Sequence, residues 1–199
     1  VCIDVGQGDD WAAIKNRALK TGACACYVVD ARQEYIEEYI WPALKANAVY
    51  EDEYLLGTST ARPLIGKILV EYARQEKAVA ICHGATGKGN DQVRFEFAIK
   101  AFAPDIKVIA AWRDDKWNMD SREAEIKFLE DRGLEVPMKK DQSYSRDENI
   151  WHLSHEGLEL EKTENEPNYK HMLKNTTVPE EAPDEGEYVT KKKKKGIPV

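Results

Sequence analysis

The run from Cys82 to Arg94 (CHGATGKGNDQVR) sets a hydroxyl, a cation, an amide, a carboxylate and a guanidinium (Thr86, Lys88, Asn90, Asp91, Arg94) beside three glycines. Glycines at 84, 87 and 89 allow a tight turn and bring backbone N–H groups close to a bound anion. An apolar, strand-like segment, Ala78 to Cys82, enters the run, and a helix-like segment leaves it from Asp91. A helix beginning there aims its positive end at the same place. The combination describes a cradle for a phosphate or a carboxylate. It is not a Walker A loop, because Cys82 and Gly89 stand where that pattern needs a glycine and a hydroxyl. Asn90 and Arg94, four apart, share one helix face. Arg94 can grip a carboxylate with two parallel bonds, which suits a free amino acid, and Asp91 can accept from an ammonium group. For one such residue a capped helix start with a surface ion pair explains as much. Five of them beside three glycines favour a ligand site.

Other reactive side chains read as structural. Cys2, Cys24, Cys26 and Cys82 lie in apolar, strand-like stretches, and Cys24 and Cys26 alternate with alanine on one face. Without a CxxC pair or histidines at ligand spacing, they read as buried, reduced thiols. His152 and His155, three apart, have no third ligand at hand and read as helix-surface or core-edge residues. His83 is placed to orient the glycine loop. Trp41, Trp112, Trp117 and Trp151 read as core or interface anchors, because no basic residues interleave with them. No metal-binding residues are assigned.

The chain has 199 residues, 42% hydrophobic and 33% charged, an ordinary balance for a domain with a real core. A net charge of −7 argues against nucleic acid as a partner. No apolar stretch is long enough to span a bilayer, and no secretory pattern opens the chain, so a cytoplasmic location is expected. Val1 to Val5 reads as a strand entered midway, and Gly196 to Val199 as a stop within an element, so a piece of a longer protein is expected.

Elements must position these residues. Asp9 or Asp10 caps a helix carrying Trp11, Ile14, Ala18 and Leu19, closed by Gly22. Ala23 to Val29 reads as a strand. Tyr35, Ile36, Tyr39, Ile40, Ala43 and Leu44 repeat at helical spacing with a kink or break at Pro42. Pro63 suits the first turn of a helix bearing Leu64, Ile65, Ile68, Leu69 and Tyr72. Strand 78–82, helix 91–102, strand 106–111 and a helix capped by Ser121 complete the alternation. Strands alternating with helices predict α/β architecture, a doubly wound parallel sheet with ligands at the carboxyl ends of its strands. From about Leu134 the periodic helices stop. The expected division is a nucleotide-binding domain at 1–133 and the start of a second, α+β domain at 134–199. The five lysines 191–195 read as a solvated strand or linker.

Four runs in order resemble argininosuccinate synthase, from residue 1 to about 160: Asp4-Val5-Gly6-Gln7, Tyr54 to Pro63 (YLLGTSTARP), His83 to Glu96 (HGATGKGNDQVRFE) and Tyr144 to His152 (YSRDENIWH), the last followed by Ser154 and Glu156-Gly157. The resemblance implies an adenine nucleotide α-hydrolase-like, ATP-pyrophosphatase fold. It also implies a ligase of arginine biosynthesis and the urea cycle that joins citrulline to aspartate with ATP and Mg2+, releasing AMP and pyrophosphate, as a homotetramer. By that resemblance Ile3 and the stretch Cys82, His83, Gly84, Ala85, Thr86, Gly87, Lys88, Gly89 and Asn90 meet ATP. Thr86, Asn90 and Asp91 hold aspartate, and Tyr54, Ser59, Asn90, Arg94, Ser145 and Ser154 hold citrulline. The family has a lysine-containing strand before its own G-I-P-V, which the lysine run resembles.

The family's S-G-G-L-D-T-S pyrophosphate loop does not occur in this sequence, and by the resemblance it would precede Val1. A glutamate and a tyrosine of the citrulline pocket and a long C-terminal helix would follow Val199. On that reading the 199 residues bind substrates without turning them over. Two other readings stay open: another ATP-pyrophosphatase-type synthetase, and a non-catalytic nucleotide- or amino-acid-binding module. Calorimetry with ATP, citrulline and aspartate separately discriminates them.

Overall fold

The computed structural model describes the chain apart from residues 88, 120, 135, 137–143, 175, 196 and 199, with backbone alone at 122, 197 and 198. It divides into two compact units, residues 1–138 with 148–153 and residues 139–147 with 154–199.

In the first unit, strand β1 (Cys2–Asp4) leads to helix α1 (Trp11–Lys20). Asp10 opens this helix by accepting the Ala13 N–H at 3.0 Å, and Arg17 and Lys20 sit in its last turn, where cations oppose the negative end. The predicted apolar face of α1 buries no residue, and Leu19 is 43% exposed. Strand β2 is confined to Val28–Asp30 and pairs parallel with β1, Cys2 opposite Val28 and Asp4 opposite Asp30. The longer strand predicted from Ala23 is irregular in its first half, so Cys24 lies exposed in a connection rather than on a sheet face. Cys82 is also exposed and Cys2 and Cys26 half-buried, which corrects the expectation of buried thiols. All four are free.

A single turn α2 (Arg32–Glu34) continues into a π-helical stretch (Tyr35–Ile40) and then α3 (Trp41–Lys45). The break expected at Pro42 thus takes the form of a wide turn before a residue that has no N–H to give. Helix α4 (Gly57–Gln75) starts six residues before Pro63, which lies inside it. Proline removes one bond of the ladder, but burial of Ala61, Leu64 and Ile68 on either side of it outweighs the local signal.

Strand β3 (Ala80–His83) pairs parallel with β4 (Lys107–Ala110), and helix α5 (Asn90–Phe102) makes the crossover between them. Helix α6 (Arg122–Glu130) follows, capped as predicted by the Ser121 hydroxyl, which accepts the Ala124 N–H at 3.2 Å. The parallel pairing and helical crossovers agree with the α/β reading. Among the described residues β1–β2 and β3–β4 are separate two-stranded pairs. The outer edge of β1 is instead met by a side chain. Cys2 N–H and Asp4 C=O bond toward the β2 side, to Tyr27 O and Ala31 N, so Ile3 C=O and Val5 N–H point away from it. Gln7 takes both: Nε2 donates to Ile3 O at 3.0 Å and Oε1 accepts the Val5 N–H at 2.9 Å.

Two apolar clusters lean on α4. One joins Ile3, Val5, Tyr35, Ile40, Leu64 and Ile68, with Trp151 against it, and the other joins Val70, Ala73, Ile81, Ile99 and Ile106. Leu69 touches both. Helices α4 and α5 approach closely at Gly66, where a Cβ would stand 2.5 Å from Cβ of Ala98. Only glycine permits that spacing. Among the described residues no helix is long and apolar enough to cross a membrane.

Strands β5 (Ser145–Glu148) and β6 (Leu153–Glu156) pair with each other. In the second unit Tyr144 is buried and donates its hydroxyl to the Glu159 carboxylate. Short helix α7 (Tyr169–Met172) offers the His171 carbonyl to Arg146 at 3.1 Å. Within the lysine run Lys193 and Lys194 form strand β7, antiparallel to β8 (Ile197–Pro198).

Candidate functional site

The segment between β3 and α5 leaves the sheet at His83 and enters the helix at Asn90. Gly89 caps α5 in an extended conformation, and among the described residues no side-chain cap bond opens this 13-residue helix. Donors at a helix N-terminus that no protein group satisfies suit an anion. Gly84, Gly87 and Gly89 do not have positive φ. Space is tight only at Gly87, where a Cβ would stand 3.0 Å from Cγ of Arg113; one on Gly84 would meet nothing within 4 Å. Thr86 and Asn90 are exposed on this rim with Ala85 half-buried, and Lys88 lies outside the described residues.

His83 is buried at the end of β3, its ring 5.7 Å from that of Phe95. Among the described residues neither ring nitrogen has a hydrogen-bond partner, and Glu96 Oε1 is 4.0 Å from Nε2. Burial pushes its pKa below the ordinary 6.5, and Glu96 opposes that only in part. Ile3 is buried in β1, and its carbonyl accepts from Gln7.

Below the helix start a polar web crosses from α5 to α4. Asp91 accepts Nε and Nη2 of Arg62 on Oδ2, at 2.9 and 2.8 Å, and Nη1 of Arg94 on Oδ1, at 3.1 Å. Arg94 Nη1 also donates to Thr58 Oγ1 at 3.0 Å, and that hydroxyl is 2.9 Å from Tyr54 Oη. Asp91, expected to offer an open carboxylate, is therefore already shared between two arginines. The three groups together carry one net positive charge, which suits an acidic ligand.

The turn that presents Tyr54 and Thr58 is fixed from outside. Trp151 Nε1 donates to Leu55 O at 2.8 Å, Asn149 Nδ2 to Gly57 O at 3.3 Å, and Tyr35 Oη to the same carbonyl at 3.2 Å. A Cβ on Gly57 would stand 2.4 Å from Cβ of His152, so glycine lets that histidine close on the turn, its ring edge-on to Tyr54. His152 and His155 stand at the end and on the strand of the β5–β6 hairpin, which corrects the helical placement.

The first unit thus gathers Tyr54, Asn90, Asp91 and Arg94 at the meeting of α4 and α5, with half-buried Ser59 in the first turn of α4. In the second unit Ser145 is exposed on β5 and Ser154 half-buried on β6. Sequence reading gave no role to Thr58 and Arg62, although both stand in the run it singled out. Their signal was the four-residue spacing of positions 54, 58 and 62 entering a helix.

Residues 1–135 match the model of the argininosuccinate synthase N-terminal HUP domain, the adenine nucleotide α-hydrolase-like class. Residues 144–199 match that of the argininosuccinate synthase C-terminal domain. The chain belongs to the argininosuccinate synthase family. It is 60% identical to the argininosuccinate synthase of Lachnospira eligens over 198 residues, covering 100% of this chain and 48% of that protein. It is 60% identical to that of Brachyspira hyodysenteriae over 199 residues, again 100% and 48%. The argininosuccinate synthase of Caldicellulosiruptor saccharolyticus is 57% identical over 199 residues, 100% of this chain and 49% of that protein. The chain spans about half the length of the relatives it matches.

Proposed function

We propose that these residues form the nucleotide- and amino-acid-binding half of an AMP-forming carbon–nitrogen ligase that condenses citrulline with aspartate at the expense of ATP. Family membership supports the reaction, and the uncapped start of α5 above the Arg62–Asp91–Arg94 web is the observation that carries the reading. The opening N–H groups of α5 bind phosphate oxygens of ATP. Arg94 spends Nη1 on Thr58 and Asp91, so its Nε–Nη2 edge is the one that takes the citrulline carboxylate. Tyr54 and Ser59 complete that contact; by the family resemblance Ser145 and Ser154 are also citrulline-binding residues.

Aspartate is held by Thr86, Asn90 and Asp91, whose carboxylate keeps lone pairs for an ammonium while neutralising one arginine. The protein's part is to orient reactants and balance charge; no covalent enzyme intermediate is required. Among the described residues no three acidic, histidine or cysteine side chains gather into a metal cage. Mg2+ enters as the counter-ion that ATP carries. Residues 1–133 form the nucleotide-binding domain and 134–199 begin the second, in a cytoplasmic homotetramer of the longer polypeptide.

The test is a hybrid in which this chain replaces the matched half of the Lachnospira eligens relative. Labelled pyrophosphate should exchange into ATP only with citrulline present, and argininosuccinate should form only when aspartate is added. Exchange that ignores citrulline would sink the assignment.

A further inference from the structure

We propose that the Thr58 hydroxyl is a positioning group that joins Arg94 to Tyr54 and turns the Tyr54 proton toward the ligand, a carboxylate-bearing amino acid. The inference rests on the reading that Tyr54 and Arg94 contact citrulline.

Thr58 is the second residue of α4 and only 7% exposed. Its hydroxyl lies 3.0 Å from Arg94 Nη1 and 2.9 Å from Tyr54 Oη, and so links a residue before α4 to one on α5. A guanidinium only donates, so Thr58 Oγ1 accepts from Arg94. One proton remains on Thr58, and the phenolic oxygen of Tyr54 can accept it. Tyr54 then keeps its own proton for a group outside the web. Arg94 is constrained at the same time: the two protons of Nη1 go to Thr58 and to Asp91 Oδ1, which fixes the plane of the guanidinium.

In this assignment the donors run in one direction, from Arg94 to Thr58 to Tyr54 and outward, and each bond polarises the next. A chain of donors ending in a phenol selects an acceptor, a carboxylate rather than an ammonium. Removing the Thr58 hydroxyl leaves Arg94 short of one acceptor and frees the Tyr54 proton to point elsewhere. The effect falls on ligand affinity and not on the nucleotide.

The experiment uses the hybrid polypeptide with Thr58→Val, which keeps the branched shape, Thr58→Ser, which keeps the hydroxyl, Tyr54→Phe, and the Thr58→Val/Tyr54→Phe double substitution. Thr58→Val should raise the citrulline KM roughly tenfold while the ATP KM stays within about twofold, the size expected for one lost hydrogen bond. Thr58→Ser should restore most of the affinity. The double substitution should be worse than Tyr54→Phe by less than the full Thr58→Val effect, because the two share the Tyr54 contact while only Thr58 also serves Arg94.

An unchanged citrulline KM in Thr58→Val overturns the proposal, as does an equal rise for ATP and citrulline. Multiplying effects in the double substitution, or a serine variant as impaired as the valine one, overturn it too. Thermal melting of Thr58→Ser beside Thr58→Val separates lost folding from lost binding. If the unsubstituted hybrid shows no citrulline-dependent exchange, the underlying reading falls and takes the proposal with it. If exchange is present and Thr58→Val is silent, only the Thr58 linkage falls.

Discussion

Arg62 reaches Asp91 with two nitrogens on one oxygen: Nε and Nη2 stand 2.9 and 2.8 Å from Oδ2. The other oxygen is left to Arg94. The carboxylate is thus a bolt between α4 and α5 as well as a candidate ligand contact, and the two roles have separable consequences.

Asp91→Asn removes the charge and leaves two guanidiniums facing an amide. We expect a loss of about 1–3 kcal/mol of folding stability, the usual cost of a broken charge-assisted contact that is partly shielded. In the hybrid polypeptide the aspartate KM should rise while citrulline-dependent pyrophosphate exchange continues. Parallel loss of exchange and product would instead assign Asp91 to the ATP site.

Arg94→Lys tests the planar edge. An ammonium can replace one of the two Nη1 bonds but cannot hold Thr58 and Asp91 and still offer a fork. The citrulline KM should rise by roughly tenfold or more, with the ATP KM changed far less. An equal rise for both substrates would signal a general folding defect.

Gly66→Ala tests the helix contact without touching any polar group. The new Cβ would stand 2.5 Å from that of Ala98, so α4 and α5 must separate. Overpacking of this kind costs about 1–3 kcal/mol, more than alanine gains over glycine in a helix interior. Urea unfolding should show a lower midpoint. A midpoint equal to or above that of the unsubstituted chain contradicts this packing.

His83 makes stability pH-dependent. Burial holds its folded-state pKa below 6.5, so the unfolded chain takes up the proton first as the pH falls. Its contribution is fully present above about 6.5 and is lost progressively as the pH drops below that value. Unfolding midpoints at about pH 7.5 and about pH 5.5 should differ less in His83→Gln than in the unsubstituted chain. An identical difference in both would mean that His83 does not titrate across unfolding.

Local signals were read well from the sequence. Asp10 and Ser121 cap the helices they precede, because a capping side chain acts within three residues of itself. The parallel pairing of β3 with β4 followed from the helix between them. What depends on distant partners was hidden. Pro63 suggested a helix start because the residues that bury the preceding turn, Trp151 and Asn149, lie some ninety positions away. The alternation at Cys24 and Cys26 resembled a strand, yet only Val28 to Asp30 finds a partner in β1. At the candidate site, the place of the glycine run between a strand and a helix was legible from its flanking apolar segments. The arginine that holds Asp91 was not, because Arg62 reaches it from another helix across 29 positions.

Gln7 bears on what can pair with the free side of β1. An open strand edge is a template onto which another chain can add its backbone, and this is a common beginning of aggregation. The amide of Gln7 imitates a passing peptide group, one donor and one acceptor at the right spacing for Ile3 and Val5. Any strand that adds to β1 must first evict it. A single side chain thus stands in for a neighbouring strand's backbone along Ile3 and Val5.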